Sequence, residues 1–530
     1  MTSTRIFLYD TTLRDGAQQE GISLSVEDKL KITQQLDKLG IPFIEGGWPG
    51  SNPKDSEFFR RVHSLRLEQA TLAAFGSTRR PNITAETDDN LQALAQSGMP
   101  VVTLVGKSWD RQVTQVLETS LEENLAMVSD SVAFLKAQGL RVFFDAEHFF
   151  DGVKANAQYA LACLKAAAQA GAEWLVLCDT NGGSLPQDII SGIEAAKKAV
   201  SVPLGIHAHN DSELAIANSL VAVLAGATQV QGTINGYGER CGNANLCSII
   251  PALQLKLDIP CLSPKQLTTL TEVSRYVSEI ANLTPPPQLP YVGTSAFAHK
   301  AGLHISGISK WRQSYQHIDP AKVGNHDRVL ISEISGRSTI HYKAKEKGLE
   351  LGREEAAHVL DRIKALESQG FQFDGAEASF ELLIHRARPG YRPPFELVDF
   401  MVIVEKRRRL PQAGDEEMLA EAVVKVRVGE EVMHTAAEGN GPVNALDLAL
   451  RRALLGFYPS LEVLKLVDYK VRILEESAGT EAQVRVLIET SDGHQEWRTV
   501  GASTNIIEAS WQALVDSIEY WLWQRGITHL

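Results

Sequence analysis

Eight times in its first 260 or so residues the chain repeats one pattern: a short apolar run, then a longer run with helical period. The apolar runs fall at Ile6–Tyr9, Phe43–Gly46, Thr71–Phe75, Val101–Val105, Val142–Asp145, Trp174–Cys178, Leu204–His207 and Gln229–Gly232. Helix-period segments lie between them, among them Val26–Leu39 (opened by Ser25), Leu121–Gln138, Ala157–Ala170 and Pro186–Ala199. Gly40, Gly139 and Gly171 close three such segments just before the next strand. Eight strand–helix units in this length match the size and count of a (β/α)8 barrel, the TIM barrel of the α/β class. An open doubly wound sheet usually has fewer strands and often a phosphate-binding glycine loop after the first. Here the first strand runs instead into Asp10-Thr11-Thr12-Leu13-Arg14-Asp15. The barrel is the expected fold.

After Cys261 the pattern changes. A helical stretch, Pro264–Asn282, leads into the stiff connector Thr284-Pro285-Pro286-Pro287-Gln288-Leu289-Pro290. Residues 291 to 375 carry histidines, glycines and short helical runs and read as helical linker subdomains. From about 395 the text becomes strand-like: Phe395–Val404, Ala422–Val428 and Val463–Leu474. A weak repeat runs through this part. Val423–Val428, a turn at Gly429-Glu430-Glu431 and a second short strand precede Gly439-Asn440-Gly441 and the helix Pro442–Leu455. Val484–Glu489, a turn at Ser491-Asp492-Gly493 and another strand precede Gly501-Ala502-Ser503 and the helix Asn505–Trp523. Two ββα units predict a pseudo-symmetric α+β domain. Its glycines either open helix N-termini toward something small or anionic, or serve tight turns; both readings stand. The expected division is 1–270 for the barrel, 271–385 for the linker subdomains and 386–530 for the C-terminal domain.

Acidic residues outnumber basic ones 65 to 52, a formal net charge of −13, which argues against a general nucleic-acid or membrane-surface binder. The one compact basic run, Lys406-Arg407-Arg408-Arg409, reads as a solvated strand end. Five cysteines (163, 178, 241, 247 and 261) lack CxxC spacing, as reduced thiols of a cytosolic protein would. With no secretory signal and no membrane-length apolar run, a cytoplasmic location is expected.

Three polar sets fall where a barrel places its active site, at the carboxyl ends of strands. The first is Arg14-Asp15, after strand one. The second is His207-Ala208-His209-Asn210-Asp211, ending strand seven. Residues i and i+2 of a strand point the same way, so both imidazoles can reach one ion. With Asp15 they make a two-His, one-carboxylate set that leaves coordination positions open, as catalysis requires. The third is Gly236-Tyr237-Gly238-Glu239-Arg240-Cys241-Gly242-Asn243 after strand eight, with Asn243 a candidate fourth or water-bridged ligand. Its spacing is GxGxxxG, not the nucleotide-binding GxGxxG. Glu45 ends strand two and Glu147 follows strand five. They read as orienters of the metal and Arg14, as general acid–base groups, or as plain loop carboxylates. Thr180, after strand six, offers a hydroxyl to a carboxylate ligand or caps a helix.

Asp10–Gly16, His207–Asp211 and Gly238–Asn243 together resemble the motifs of the DRE-TIM metallolyases. Within these the chain is similar to the Claisen-condensing branch: the 2-isopropylmalate, homocitrate and citramalate synthases. The wording of residues 44–55, 74–80, 145–152 and 296–304 is nearest the citramalate type. The resemblance covers the whole chain, since the C-terminal repeat looks like the regulatory domain these synthases carry.

The resemblance implies a divalent ion, Mg²⁺ or Mn²⁺ foremost and Zn²⁺ or Co²⁺ in turn, held by Asp15, His207, His209 and Asn243. A 2-oxo acid, pyruvate for the citramalate type, would chelate that ion, and Arg14 would stabilise the charge developing on its ketone oxygen. The family's base, which deprotonates the acetyl-CoA methyl group, corresponds to His304, helped by Glu45 or Glu147 and by Tyr315. Because His304 lies outside the barrel, it would act at a barrel mouth, in related synthases the partner subunit's, so a homodimer is expected. Leu104, ending strand four, is a candidate wall of the acceptor pocket or ordinary barrel core. Isoleucine is the end product expected at the C-terminal domain. Two departures stand out: a histidine usual after Ser108-Trp109-Asp110 appears as Arg111-Gln112, and the stretch from Ile305 to Trp311 differs from the commoner wording. The competing readings are a 2-isopropylmalate synthase with 2-oxoisovalerate as acceptor, a metal-dependent lyase on the same barrel, and an inactive amino-acid-binding regulator.

Overall fold

A computed structural model describes residues 5–330, 337–346, 351–388, 390–406, 418–474, 479 and 481–527. These fall into two compact units, Met1–Phe297 with His317–Asp327, and Ala298–Gln316 with Arg328–Leu530.

In the first unit eight parallel strands close on themselves, β8 pairing with β1. They are β1 (Phe7–Asp10), β2 (Phe43–Gly47), β3 (Thr71–Ser77), β4 (Val101–Lys107), β5 (Arg141–Glu147), β6 (Trp174–Asp179), β7 (Leu204–Ala208) and β8 (Gln229–Gly232). Every residue of β6 and β7 is buried, as expected of strands covered by helices outside and filled side chains within. Alternation sorts the two faces. Tyr9, Phe43, Ala73, Val101, Phe143 and Trp174 form one interior layer, with Phe43 edge-on to Phe143 at 5.3 Å. Their neighbours Leu8, Ile44, Leu72, Val102, Phe144 and Leu175 face the helices. The helix Val26–Leu39 opens on a reciprocal cap: Ser25 accepts from Asp28 N, and Asp28 accepts from Ser25 N.

Seven of the eight strands run one or two residues past their expected ends, and two of these bear on the site. β5 runs to Glu147, so that carboxylate is the last strand residue and not a loop residue. The helix that follows, Phe149–Gln169, starts much earlier than its apolar period suggested and kinks at Asn156. In β2 the register shifts between Glu45 and Gly47, a bulge of the kind that re-aims side chains near active sites.

The second unit begins with a short parallel pair, β9 (Ala298–His299) and β10 (Arg328–Val329). Three helices follow, Arg337–Glu346, Arg353–Ser368 and Glu377–Arg386. Then come two three-stranded antiparallel sheets: β11 (Glu396–Lys406), β12 (Met418–Val428) and β13 (Glu431–Gly439), and β14 (Lys465–Ile473), β15 (Val484–Ser491) and β16 (Glu496–Ser503). The helix Pro442–Leu454 follows the first sheet and Ile506–Gln524 the second. The repeat is therefore βββα, not ββα: the apolar runs at 395 and 463 are the first strands of each unit. Matching details extend into the hydrogen bonds. Thr435 Oγ1 donates to Ala449 O at 2.8 Å, and Thr499 Oγ1 to Ala513 O at 2.7 Å. Each first strand also slips register, between Leu397 and Asp399 in one and Leu466 and Asp468 in the other.

Two glycines of this repeat serve packing, whereas Gly429 and Gly493 take the positive φ of their turns. A side chain at Gly501 would strike Ala509 O and one at Gly439 would strike Ala445 N, so both let a helix approach its sheet. The second helix is opened by Asn505, whose side chain accepts from Ile507 N. The outer faces of the sheets differ. Val500 and Leu487 of the second pack into the core of the linker helices, with Ile340, Val359 and Ile363. Met401, Ile403 and Val432 of the first are exposed. Arg386, in the last linker helix, pairs with Asp516 at 2.8 Å and Glu519 at 2.5 Å, tying that helix to the C-terminal one. Of the basic run at 406–409, residues 407–409 lie outside the described residues.

Candidate active site

The carboxyl ends of β1, β7 and β8 bring the predicted ligands together. Asp15 Oδ2 lies 3.2 Å from His207 Nε2 and 3.9 Å from His209 Nε2, and the two Nε2 atoms are 3.3 Å apart. All three residues are buried, and among the described residues they form the one cluster with metal-ligand geometry. Neighbouring ligands around an octahedral ion with bonds of about 2.1 Å sit about 3 Å apart. Two imidazole nitrogens and a carboxylate oxygen converging at these distances fit a small divalent cation. Asn243 belongs to the same place through a bridge to His209. Its amide donates to Tyr237 O at 3.2 Å, while its buried Oδ1 and His209 Nδ1 have no hydrogen-bond partner. The glycines of this loop are obligatory: a side chain at Gly238 would strike Asn243 Nδ2, and one at Gly242 would strike Gly236 O.

The electrostatics agree. Burial alone would raise the Asp15 carboxyl, but Arg14 and the two imidazoles outweigh it and hold it far below the usual range. Burial would lower His207, yet its bond to Asp15 and that residue's charge raise it. His209 is pushed down to about 4 by burial and by the charge of His207.

Arg14 is clamped beside the cluster. Its Nη1 is 3.6 Å from Asp15, its Nε donates to Glu45 Oε1 at 2.6 Å, and its guanidinium lies 3.7 Å over the Phe75 ring. Glu45 is fully buried and also accepts from Tyr9 OH and Thr11 Oγ1, each at 2.6 Å. It thus contacts the Arg14 guanidinium from inside β2 and is no loop carboxylate. Glu147 pairs with Lys107 of the neighbouring strand. Thr180 caps no helix: its Oγ1 accepts from His148 N at 2.8 Å, and its carbonyl accepts from Arg240, which also grips Asp211. Leu104 requires a correction. It sits with Val102 and Phe144 on the helix-facing side of the barrel, whereas its neighbour Thr103 points inward to Tyr9 OH at 2.7 Å. In a strand buried on both faces, apolarity does not reveal parity, so Leu104 is no pocket wall.

In the second unit the His304 and Tyr315 rings stack at 4.2 Å with 23° between planes, and Gly307 makes room for the Tyr315 ring. Both side chains are exposed. Sequence reasoning missed the tier below the cluster, Asp145, Gln229 and Gln231, all buried. Its one signal was the two glutamines alternating within a strand that is otherwise apolar.

Asp10, also fully buried, accepts from the backbone N and Oγ1 of Thr12, each at 2.9 Å. Burial pushes its carboxyl up to about 7. The folded state therefore binds this proton more tightly than the unfolded chain, whose value is about 3.9, and stability falls as pH rises between the two. Asp10→Asn is expected to remove that loss, gaining on the wild type between about pH 5 and about pH 8 in urea denaturation. Parallel pH slopes for the two proteins would contradict it.

A closed barrel with this cluster at its strand ends defines a class, and family comparison agrees. The HMGL-like model matches residues 5–277, the homocitrate synthase post-HMGL domain-like model 291–370, and the LeuA allosteric (dimerisation) domain 374–522. The chain belongs to the HMGL-like family and is an acyl-transferring enzyme. It is 54% identical to the (R)-citramalate synthase of Geobacter sulfurreducens over 97% of both chains. It is likewise 54% identical to that of Synechocystis sp., over 98% of this chain and 96% of the other. A 2-isopropylmalate synthase of Methanocaldococcus jannaschii is 31% identical over 97% of this chain and 94% of its own. Among the described residues no helix is long and apolar enough to cross a membrane.

Proposed function

We propose that this chain condenses acetyl-CoA with pyruvate and hydrolyses the resulting thioester to (R)-citramalate and CoA, a step toward isoleucine. The observation that carries the reading is the Asp15–His207–His209 cluster with Arg14 clamped beside it at the strand ends. The 54% identity to (R)-citramalate synthases, against 31% to a 2-isopropylmalate synthase, supports pyruvate as acceptor.

A divalent ion, Mg²⁺ or Mn²⁺ ahead of Zn²⁺ or Co²⁺, would be held by Asp15, His207, His209 and Asn243 and would polarise the ketone of the 2-oxo acid. Arg14 stabilises the negative charge that grows on the ketone oxygen during attack, and Glu45 keeps the guanidinium from swinging away. The Thr180 oxygen already accepts from His148, so its own proton is left for the substrate carboxylate. His304 takes a proton from the acetyl-CoA methyl group, a weak carbon acid that needs a positioned acceptor. Tyr315, stacked on that imidazole, fixes its plane, and Glu147 assists from the barrel. The carbanion attacks the ketone carbon, and water then cleaves the thioester and frees CoA.

The LeuA allosteric (dimerisation) match supports a homodimer with a regulatory C-terminal domain, and isoleucine, the end product of the proposed route, is the inhibitor assigned to it. We assign 1–270 to catalysis, 271–385 to linkers and 386–530 to regulation, with the last linker helix anchored to the regulatory part through Arg386. The location is cytoplasmic.

The test is CoA-thiol release from acetyl-CoA with Mg²⁺ or Mn²⁺ across pyruvate, 2-oxobutyrate, 2-oxoisovalerate and 2-oxoglutarate. The highest kcat/KM is expected with pyruvate, quenched by EDTA. Preference for 2-oxoisovalerate would move the enzyme to leucine synthesis, and no release with any acceptor would overturn the synthase reading.

A further inference from the structure

Below the cluster lies a buried polar chain that the proposed chemistry does not use. Gln231 of β8 and Asp145 of β5 are both inside the barrel, 0% and 3% exposed. Gln231 Oε1 is 2.8 Å from His207 Nδ1, and Gln231 Nε2 donates to Asp145 Oδ1 at 3.1 Å. The hydrogen bonds set one another's direction. His207 turns Nε2 toward Asp15 and His209, so Nδ1 must face Gln231. In its ionised form Asp145 only accepts, so the amide presents its NH₂ on that side, where Gln229 Oε1 also stands 3.4 Å from the same nitrogen. Its carbonyl is then left for His207, and a carbonyl only accepts. The proton of the neutral imidazole must sit on Nδ1, which leaves the Nε2 lone pair facing the cluster. His209 lacks such support: its Nδ1 is buried without a partner.

We propose that Gln231 and Asp145 are positioning residues that hold His207 in its Nδ1–H tautomer and thereby set the cluster's affinity for a divalent cation. The inference rests on reading Asp15, His207 and His209 as the metal centre. Outer partners of ligating imidazoles typically change metal affinity about 10- to 100-fold when removed. Gln231→Leu keeps the side chain's bulk but leaves the Nδ1 proton with no acceptor. The paired exchange Asp145→Asn with Gln231→Glu keeps the chain of donors intact. The amide placed at position 145 would donate to the carboxylate placed at position 231, and that carboxylate would accept from His207.

The experiment is calorimetric titration of the full-length, metal-free protein with Mn²⁺, with thermal melting of each metal-free variant alongside. Gln231→Leu is expected to weaken Mn²⁺ binding about 10- to 100-fold, and the paired exchange to recover it to less than about tenfold below wild type. Unchanged affinity in Gln231→Leu would overturn the proposal. So would a paired exchange as weak as Gln231→Leu, because a purely structural role predicts no rescue by exchanged polarity. If Gln231→Leu does not fold, the paired exchange decides alone: near-wild-type affinity supports the proposal and a loss beyond tenfold overturns it. His207→Ala separates the two levels. If it abolishes binding while Gln231→Leu leaves it intact, only the positioning role falls. If it binds Mn²⁺ like wild type, the metal centre falls too.

Discussion

His209→Ala is expected to abolish turnover while leaving the fold standing. The side chain supplies one of three converging ligand atoms, and its other nitrogen has no hydrogen-bond partner to lose. Its removal therefore costs little beyond a small buried gap. Polarisation by a bound divalent ion contributes several kcal/mol to such a reaction, and each 1.36 kcal/mol is tenfold in rate. A fall of about 10³-fold or more in kcat should follow. It should come with loss of Mn²⁺ binding and an unchanged circular dichroism spectrum. An unaltered rate of CoA-thiol release would sink the metal assignment.

Arg14→Met carries the second large effect, and it should be double. Losing a preorganised donor to the developing oxyanion costs about 10²–10³ in kcat. It also strands Glu45, fully buried and left with only the hydroxyls of Tyr9 and Thr11. Breaking one side of a buried ion pair destabilises by about 3–5 kcal/mol. The two effects separate in a double variant. Adding Glu45→Gln to Arg14→Met should restore much of the melting temperature and none of the turnover. Wild-type kcat in Arg14→Met would refute the oxyanion role, and an unshifted melting temperature would refute the pairing argument.

The barrel could be read from the chain because most strands are short, largely apolar runs and several of the helices between them carry their own period and end signals. The ligands could be read because strand parity puts His207 and His209 on one side. What escaped follows from the same physics. In Val101–Val105 both faces are buried, so only the partner of Thr103 shows which way Leu104 points. Gln231 and Asp145 are polar residues within strands, and their bond spans 86 positions of chain. No local pattern announces such a pair. The first strand of each C-terminal unit was visible as an apolar run, but its membership in the repeat depends on long-range pairing.

Those C-terminal units also say something about descent. Two βββα segments share a register slip in the first strand and a threonine–alanine bond across the same interval of 14 residues. Details with no common task are inherited together when a stretch of gene is copied in tandem. The single ancestral unit would have met its twin as a separate, identical chain, and every change in it would have appeared twice. Within one chain two such copies need not stay alike: the outer face of one packs Val500 and Leu487 into the linker helices, while the other keeps Met401, Ile403 and Val432 at its surface.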